Sequence, residues 1–172
     1  MLGLPDNKVF LVDYDKEWEL LFNQEKQKIL EVFEGHNIQV HHIGSTAVKN
    51  LKSKPILDIA IEVDSFQNIN YYIHYLQKLN YTSKGSNILP DRYYFLKGNP
   101  RTHQIHLYEK NNHFLNQQIK FRDILRKHPN LRDEYESLKI KLANANKNDK
   151  HNYTDLKTEY INRILKSYDS LK

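Results

Sequence analysis

The sequence predicts an α+β domain: a mixed β-sheet of about four to five strands flanked by helices, with a carboxy-terminal third that is helical. Three observations predict it. Short apolar runs of strand length at 38–43, 56–63, 92–97 and 103–109 are set off by turn residues. Apolar positions recur at helical spacing between 16 and 33 and again from 113 onward. The 172 residues, 39% of them hydrophobic, suffice for one domain with a real core and are few for two, so 1–172 reads as a single domain.

The elements follow in order. Residues 8–12 (KVFLV), β-branched and aromatic, read as a short strand. Asp13 or Asp15 then caps a helix over 16–33, whose Trp18, Leu21, Phe22, Ile29, Leu30, Val32 and Phe33 lie at helical spacing and which Gly35 stops. The strand at 38–43 runs into Gly44-Ser45-Thr46, and the strand at 56–63, almost wholly apolar, belongs in the middle of the sheet. Ser65 opens a helix that ends near Leu79. Residues 81–82, 92–97 and 103–109 are the further strands, with turns at 84–87 and 98–100. Helices over 113–127, 131–146 and 155–171 complete the chain, the first stopped by His128-Pro129, and the polar stretch 144–152 reads as a flexible surface connection.

Composition narrows the function. With zero cysteines there are no disulfides, thiolate zinc sites or cysteine nucleophile, so a bound metal would be a hard one such as magnesium. No apolar run approaches the roughly 20 residues of a membrane span, and MLGLPDNKVF lacks the features of a secretory signal. A soluble cytoplasmic protein with no membrane partner is expected. The net charge of +5 favours an anionic partner, yet the lysines are scattered among 21 acidic side chains, which argues against a nucleic-acid stripe. A small phosphorylated ligand fits better, with a homodimer left open.

Chemistry concentrates in 41–63, HHIGSTAVKNLKSKPILDIAIEV. Gly44 and Ser45 follow a strand and precede a helical turn, an arrangement that faces backbone N–H groups and hydroxyls toward an anion. Lys49, Lys52 and Lys54 add charge nearby. On the next strand Asp58, Ala60 and Glu62 share one face, and Leu57, Ile59 and Ile61 the other. A carboxylate in a buried strand costs several kcal/mol unless it meets a cation or hydrogen-bond donors, so Asp58 requires magnesium or a lysine beside it. Glu62, roughly 13 Å away along the strand, is too far to share one ion with it. A hydroxyl-bearing glycine turn opposite an aspartate is how phosphoryl and nucleotidyl transfer sites hold a triphosphate and its metal. It is equally ordinary turn chemistry beside a hydrogen-bonding hub. Arg92 and Arg101 are candidates for an anion clamp, and Arg122, Asp123 and Lys157 read as an interhelical brace or a pocket wall.

The run 41–59 resembles the signature of the GrpB family, also called UPF0157, which is similar to E-H-I-G-S-T-S-V-x-G-L-x-x-K-P-I-x-D-I. Residues 13–18, 101–107, 121–126 and 153–157 resemble further blocks of that family in the same order. The resemblance implies the polymerase-β-like nucleotidyltransferase fold, with a nucleoside triphosphate as donor and magnesium as cofactor. Asp58 falls on the second acid of that fold's D-x-D strand and is the implied metal ligand. With His106 it is also the implied catalytic pair, while Gly44, Ser45, Thr46, Lys54, His42, Arg92 and Arg101 are the candidates for holding the nucleotide. The chain has Ile56 where the first acid of the D-x-D strand stands, and it departs from the family's usual residues with His41 for Glu, Asn50 for Gly and Gln104 for His. Three functions are thereby in play. The first is nucleotidyl transfer to a small acceptor. The second is a noncatalytic module for a nucleotide or coenzyme A precursor, since some relatives are fused to dephospho-coenzyme A kinase. The third is a protein or RNA interaction domain.

Overall fold

A computed structural model describes residues 1–6, 8–86, 91–145 and 150–169. Five strands form one sheet in the order β1-β2-β5-β4-β3, comprising β1 (Gln39–Ile43), β2 (Leu57–Val63), β3 (Thr82–Ser83), β4 (Tyr93–Lys97) and β5 (His103–Glu109). The central pair β2 and β5 is parallel and the other pairings are antiparallel, so the sheet is mixed, as expected.

The period-2 alternation of β2 decides what lies on each face. Leu57, Ile59, Ile61 and Val63 join Ile105 and Leu107 of β5 in the main core, where α1 (Glu17–Val32) contributes Trp18, Phe22 and Ile29 and α2 (Ile69–Lys78) contributes Leu76. Each such side chain, fully buried, contributes roughly 1.5–3 kcal/mol. On the opposite face Ala60 and Tyr108 meet Leu115 of α3 (His113–Lys127). Helices α3, α4 (Pro129–Ala145) and α5 (Lys150–Asp169) close a second core around Phe121, Tyr135 and Ile164, joined by Val48 and Leu51 from the β1–β2 connection.

Local chemistry sets the boundaries. Of the two acids before α1, Asp15 accepts the Glu17 N–H at 3.0 Å from one residue before the N-cap position, Lys16, while Asp13 pairs with Lys52. Ser65 caps a 3-10 turn, Phe66–Asn68, that leads into α2. Asn112 accepts the N–H groups of Phe114 and Leu115 at 2.9 and 3.2 Å to start α3, and Pro129 takes the first position of α4, where its missing donor costs nothing.

Two expectations are corrected. Residues 8–12 form no strand: Val12 bridges Ser53 in isolation, and Val9 packs instead on Ala143 of α4, because no strand edge runs alongside the segment. The expected connection 144–152 is shorter than its polar composition implied, since 144–145 belong to α4 and 150–152 to α5. Residues 146–149, 170–171 and Asn87 of the expected turn lie outside the described residues.

Candidate functional site

Two pieces of backbone build the site. The first is the turn after β1, where Gly44 adopts φ 70° and ψ −171° and a 3-10 turn, Ser45–Ala47, follows. Helix α3 grips the carbonyls on either side of it. Arg122 Nη1 donates to the His42 carbonyl at 2.8 Å, and Arg126 donates Nε and Nη2 to the Ala47 carbonyl at 2.9 and 2.7 Å. The opening N–H groups of a helical turn have no partner within the turn, so this clamped turn presents donors to an anion.

The second piece is the start of the parallel pair, where Asp58 lies beside Gln104 of β5 and Ile43 of β1. Tyr94 donates its hydroxyl to Gln104 Oε1, and Gln104 Nε2 donates to Asp58 Oδ1. His106 stands on the same face, its Nε2 3.8 Å from that oxygen. Arg92 Nη1 lies 3.0 Å from His106 Nδ1. A guanidinium can only donate, so Nδ1 accepts and the ring proton sits on Nε2, facing Asp58. Burial pushes the Asp58 carboxyl up, but the His106 and Gln104 donors and the charge of Lys157 outweigh it and hold the group below the ordinary carboxylate range.

Between the sheet and α3–α5 opens a cavity of about 520 Å3 that contains both pieces. That is ample for a small organic ligand, for which roughly 300–1,000 Å3 is usual. Among the described residues its basic lining residues are Lys54, Arg101, Arg122, Lys139 and Lys157, and its acidic lining residue is Asp58. Arg101 is 8% exposed and its Nε is buried without a hydrogen-bond partner. Phe114, Phe121, Leu125, Ile161 and Leu165 make the far wall apolar.

The structure therefore gathers Gly44, Ser45, Thr46, Lys54, Asp58, Arg101 and His106 in one cavity, as the sequence led one to expect. Arg92 stands behind the lining, against His106 at 3.0 Å and over the Tyr94 ring at 5.1 Å. His42 does not face it: paired with Ile59 in the β1–β2 register, it points into the α1 side, stacked on Phe22 at 4.5 Å and hydrogen-bonded to Thr46 Oγ1 at 3.1 Å. Burial holds its imidazole down at about 4. Arg122 lines the cavity, and the contacts it makes tie α3 to β1 and to its own neighbour Asp123 rather than to another helix.

Tyr94, Tyr135 and Lys139 were not anticipated. Tyr94 follows from pairing β4 with β5, which sets it opposite His106. Tyr135 and Lys139 share the buried stripe of α4 with Ala143, and a lysine at i+4 on that stripe was the available signal.

A pair of magnesium ions does not fit this chemistry. Such a site needs several converging carboxylates, but Ile56 is apolar and Asp58 has Oδ1 engaged by Gln104 and Oδ2 packed on Gly44. Among the described residues no group of three or more His, Asp or Glu side chains is placed to hold a metal ion.

The GrpB protein family matches residues 8–167. The chain belongs to the GrpB family. The UPF0157 protein YqkA of Bacillus subtilis is 39% identical over 158 residues, covering 91% of this chain and 46% of that one, so the chain spans less than half of that relative. The glutamate-rich protein GrpB of Alkalihalophilus pseudofirmus is 33% identical and covers 96% of this chain and 98% of its own. The crystal structure of the conserved protein GrpB from Enterococcus faecalis superposes with a TM-score of 0.79 at 27% identity, over 91% of this chain and 99% of that one. A structure of the Cid1 poly(U) polymerase, described as Mg 3'-dATP bound, superposes at 0.52 with 12% identity over 78% of this chain and 42% of that one. The nucleotidyltransferase fold expected from the family resemblance is thus the fold the chain has. Among the described residues no helix is long and apolar enough to cross a membrane.

Proposed function

We propose that this member of the GrpB family binds a phosphorylated small molecule in the cavity and neutralises its charge with side chains rather than with a pair of metal ions. The observation that carries the reading is the charge of the cavity lining: Lys54, Arg101, Arg122, Lys139 and Lys157 against Asp58. One phosphoryl group sits at the Gly44–Ser45 turn, where the opening N–H groups and the Ser45 hydroxyl donate to it. The apolar far wall takes the body of the ligand, a nucleoside or a pantetheine-like chain. Nucleotidyl transfer with a magnesium-bound triphosphate is the second reading, favoured by the fold and by Asp58 opposite the turn, and opposed by Ile56 at the position of the first acid.

Thermal denaturation separates the two. ATP, GTP, CTP, UTP and dephospho-coenzyme A are each added with magnesium and with EDTA. A ligand that binds only the native state at a hundredfold over its Kd adds about 2.7 kcal/mol of stability. The binding reading expects a shift that persists in EDTA. A shift that appears only with magnesium would overturn it in favour of the transferase.

A further inference from the structure

Arg101 is a buried cation that meets no anion of the protein. It is 8% exposed on the wall of the cavity, and its Nε is buried without a hydrogen-bond partner. Among the described residues no carboxylate is ion-paired with it. Asp58, the acid on the same wall, gives its contacts to Gln104 and His106. The guanidinium reaches the Tyr94 hydroxyl, a neutral group that donates its own proton to Gln104 Oε1. Arg92 acts on the same tyrosine, 5.1 Å from the ring centre, and so adds a second positive charge rather than a compensating negative one.

The other cations of the wall differ. Arg122 donates to the His42 carbonyl and to Asp123, Lys139 donates to the Lys52 carbonyl, and Lys54 and Lys157 have partners of their own. A guanidinium withdrawn from water destabilises the fold unless an anion meets it, and arginine cannot escape by giving up its proton. Nor does this side chain hold the chain in place. The Arg101 backbone is tied to Leu4 through both of its polar groups, accepting at 2.9 Å and donating at 3.2 Å. Those two bonds fix where the side chain starts and survive its replacement.

Resting on the phosphorylated-ligand reading, we propose that Arg101 is the ligand's anchor: its planar guanidinium, unpaired at Nε, takes two oxygens of one phosphoryl group, and the empty fold carries this charge at the expense of its own stability. Replacing Arg101 then moves affinity and stability in opposite directions, which replacing a structural arginine does not.

The test is titration calorimetry of the full chain in EDTA with inorganic pyrophosphate and with ATP, beside thermal denaturation without ligand. Arg101→Met is expected to lose about thirtyfold or more in affinity for whichever anion binds the wild type, the lower end of what truncating one partner of a buried charge pair costs. Its melting temperature without ligand holds or rises. Arg101→Gln, also neutral, serves if the methionine variant does not fold. Arg101→Lys keeps the charge and loses the fork, so it binds more weakly than the wild type and more tightly than the neutral variants; wild-type affinity there overturns the fork. Wild-type affinity in the neutral variants overturns the anchor and leaves the phosphorylated-ligand reading intact. So does a melting temperature several degrees below the wild type in both, which makes Arg101 a structural brace. Failure of the wild-type chain to bind either anion overturns both.

Discussion

A β-carbon on Gly44 would stand 2.5 Å from Asp58 Oδ2 and 3.0 Å from Asp58 Cβ, so the residue that turns the chain and the carboxylate that faces the cavity occupy touching volumes. The φ of 70° at Gly44 is strained for any other L residue. Gly44→Ala must therefore displace Asp58 from Gln104 or distort the turn. The expected cost is about 2–4 kcal/mol, from left-handed strain plus overpacking, read by urea unfolding, together with loss of phosphorylated-ligand binding. Wild-type stability and affinity in this variant would contradict the contact.

Asp58→Asn tests what the carboxylate is for. Asp58 is the acid among the charged lining residues described, so it repels a phosphorylated ligand, and the amide retains the volume and can still pair with Gln104. The expected result is a folded protein that binds ATP more tightly in EDTA, measured by calorimetry. Weaker binding coupled to a lost magnesium response would assign Asp58 to a metal instead.

The tautomer of His106 follows from Arg92. With Arg92 donating to Nδ1 at 3.0 Å, the ring nitrogens should show an unprotonated Nδ1 and a protonated Nε2 in nitrogen-detected NMR. Arg92→Met removes the donor and should populate the other tautomer, with loss of about 1 kcal/mol of stability, the usual net worth of one such bond. An Nδ1 that is already protonated in the wild-type chain rules the arrangement out.

Acid should weaken the fold through His42. Burial depresses its folded-state value to about 4 from 6.5, so between those limits the unfolded chain binds the extra proton and stability falls as pH falls. A shift of that size is worth about 3 kcal/mol when fully expressed. Urea midpoints at successive pH values should slope down across this window, and less steeply in His42→Phe, which keeps a ring against Phe22. His103, also depressed to about 4 by burial, and His41, held down by burial as well, contribute to the slope that remains. Equal slopes in both proteins would exclude His42 as a contributor.

The sheet was legible because side-chain alternation is a property of each strand alone. The limits of β1, β2, β5 and α3 emerged within a residue or so of where the apolar pattern put them, and Asp58 was assigned to the correct face of its strand. What alternation does not carry is register between strands. His42 was misjudged on that account, since only its pairing with Ile59 reveals that it faces Phe22. Lys139 was missed for a different reason: a lysine within a charged amphipathic helix reads as solvated until neighbouring helices are packed around it. Residues 8–12 had strand composition, but the pairing found there is the isolated bridge of Val12 to Ser53, and composition alone does not extend it into a strand.

The parallel pairing of β2 with β5 also sets an order of events in time. Asp58 and Gln104 are 46 positions apart in sequence, with α2, β3 and β4 between them. Adjacent antiparallel strands such as β4 and β5 can zip locally, whereas a parallel pair closes only after the whole intervening crossover is in place. The cavity is consequently expected among the last features to form on the way to the native state, and a chain arrested short of that closure would lack the proposed binding site. Ligand capture during refolding would lag the appearance of helical signal, which makes ligand uptake a clock for the final long-range step.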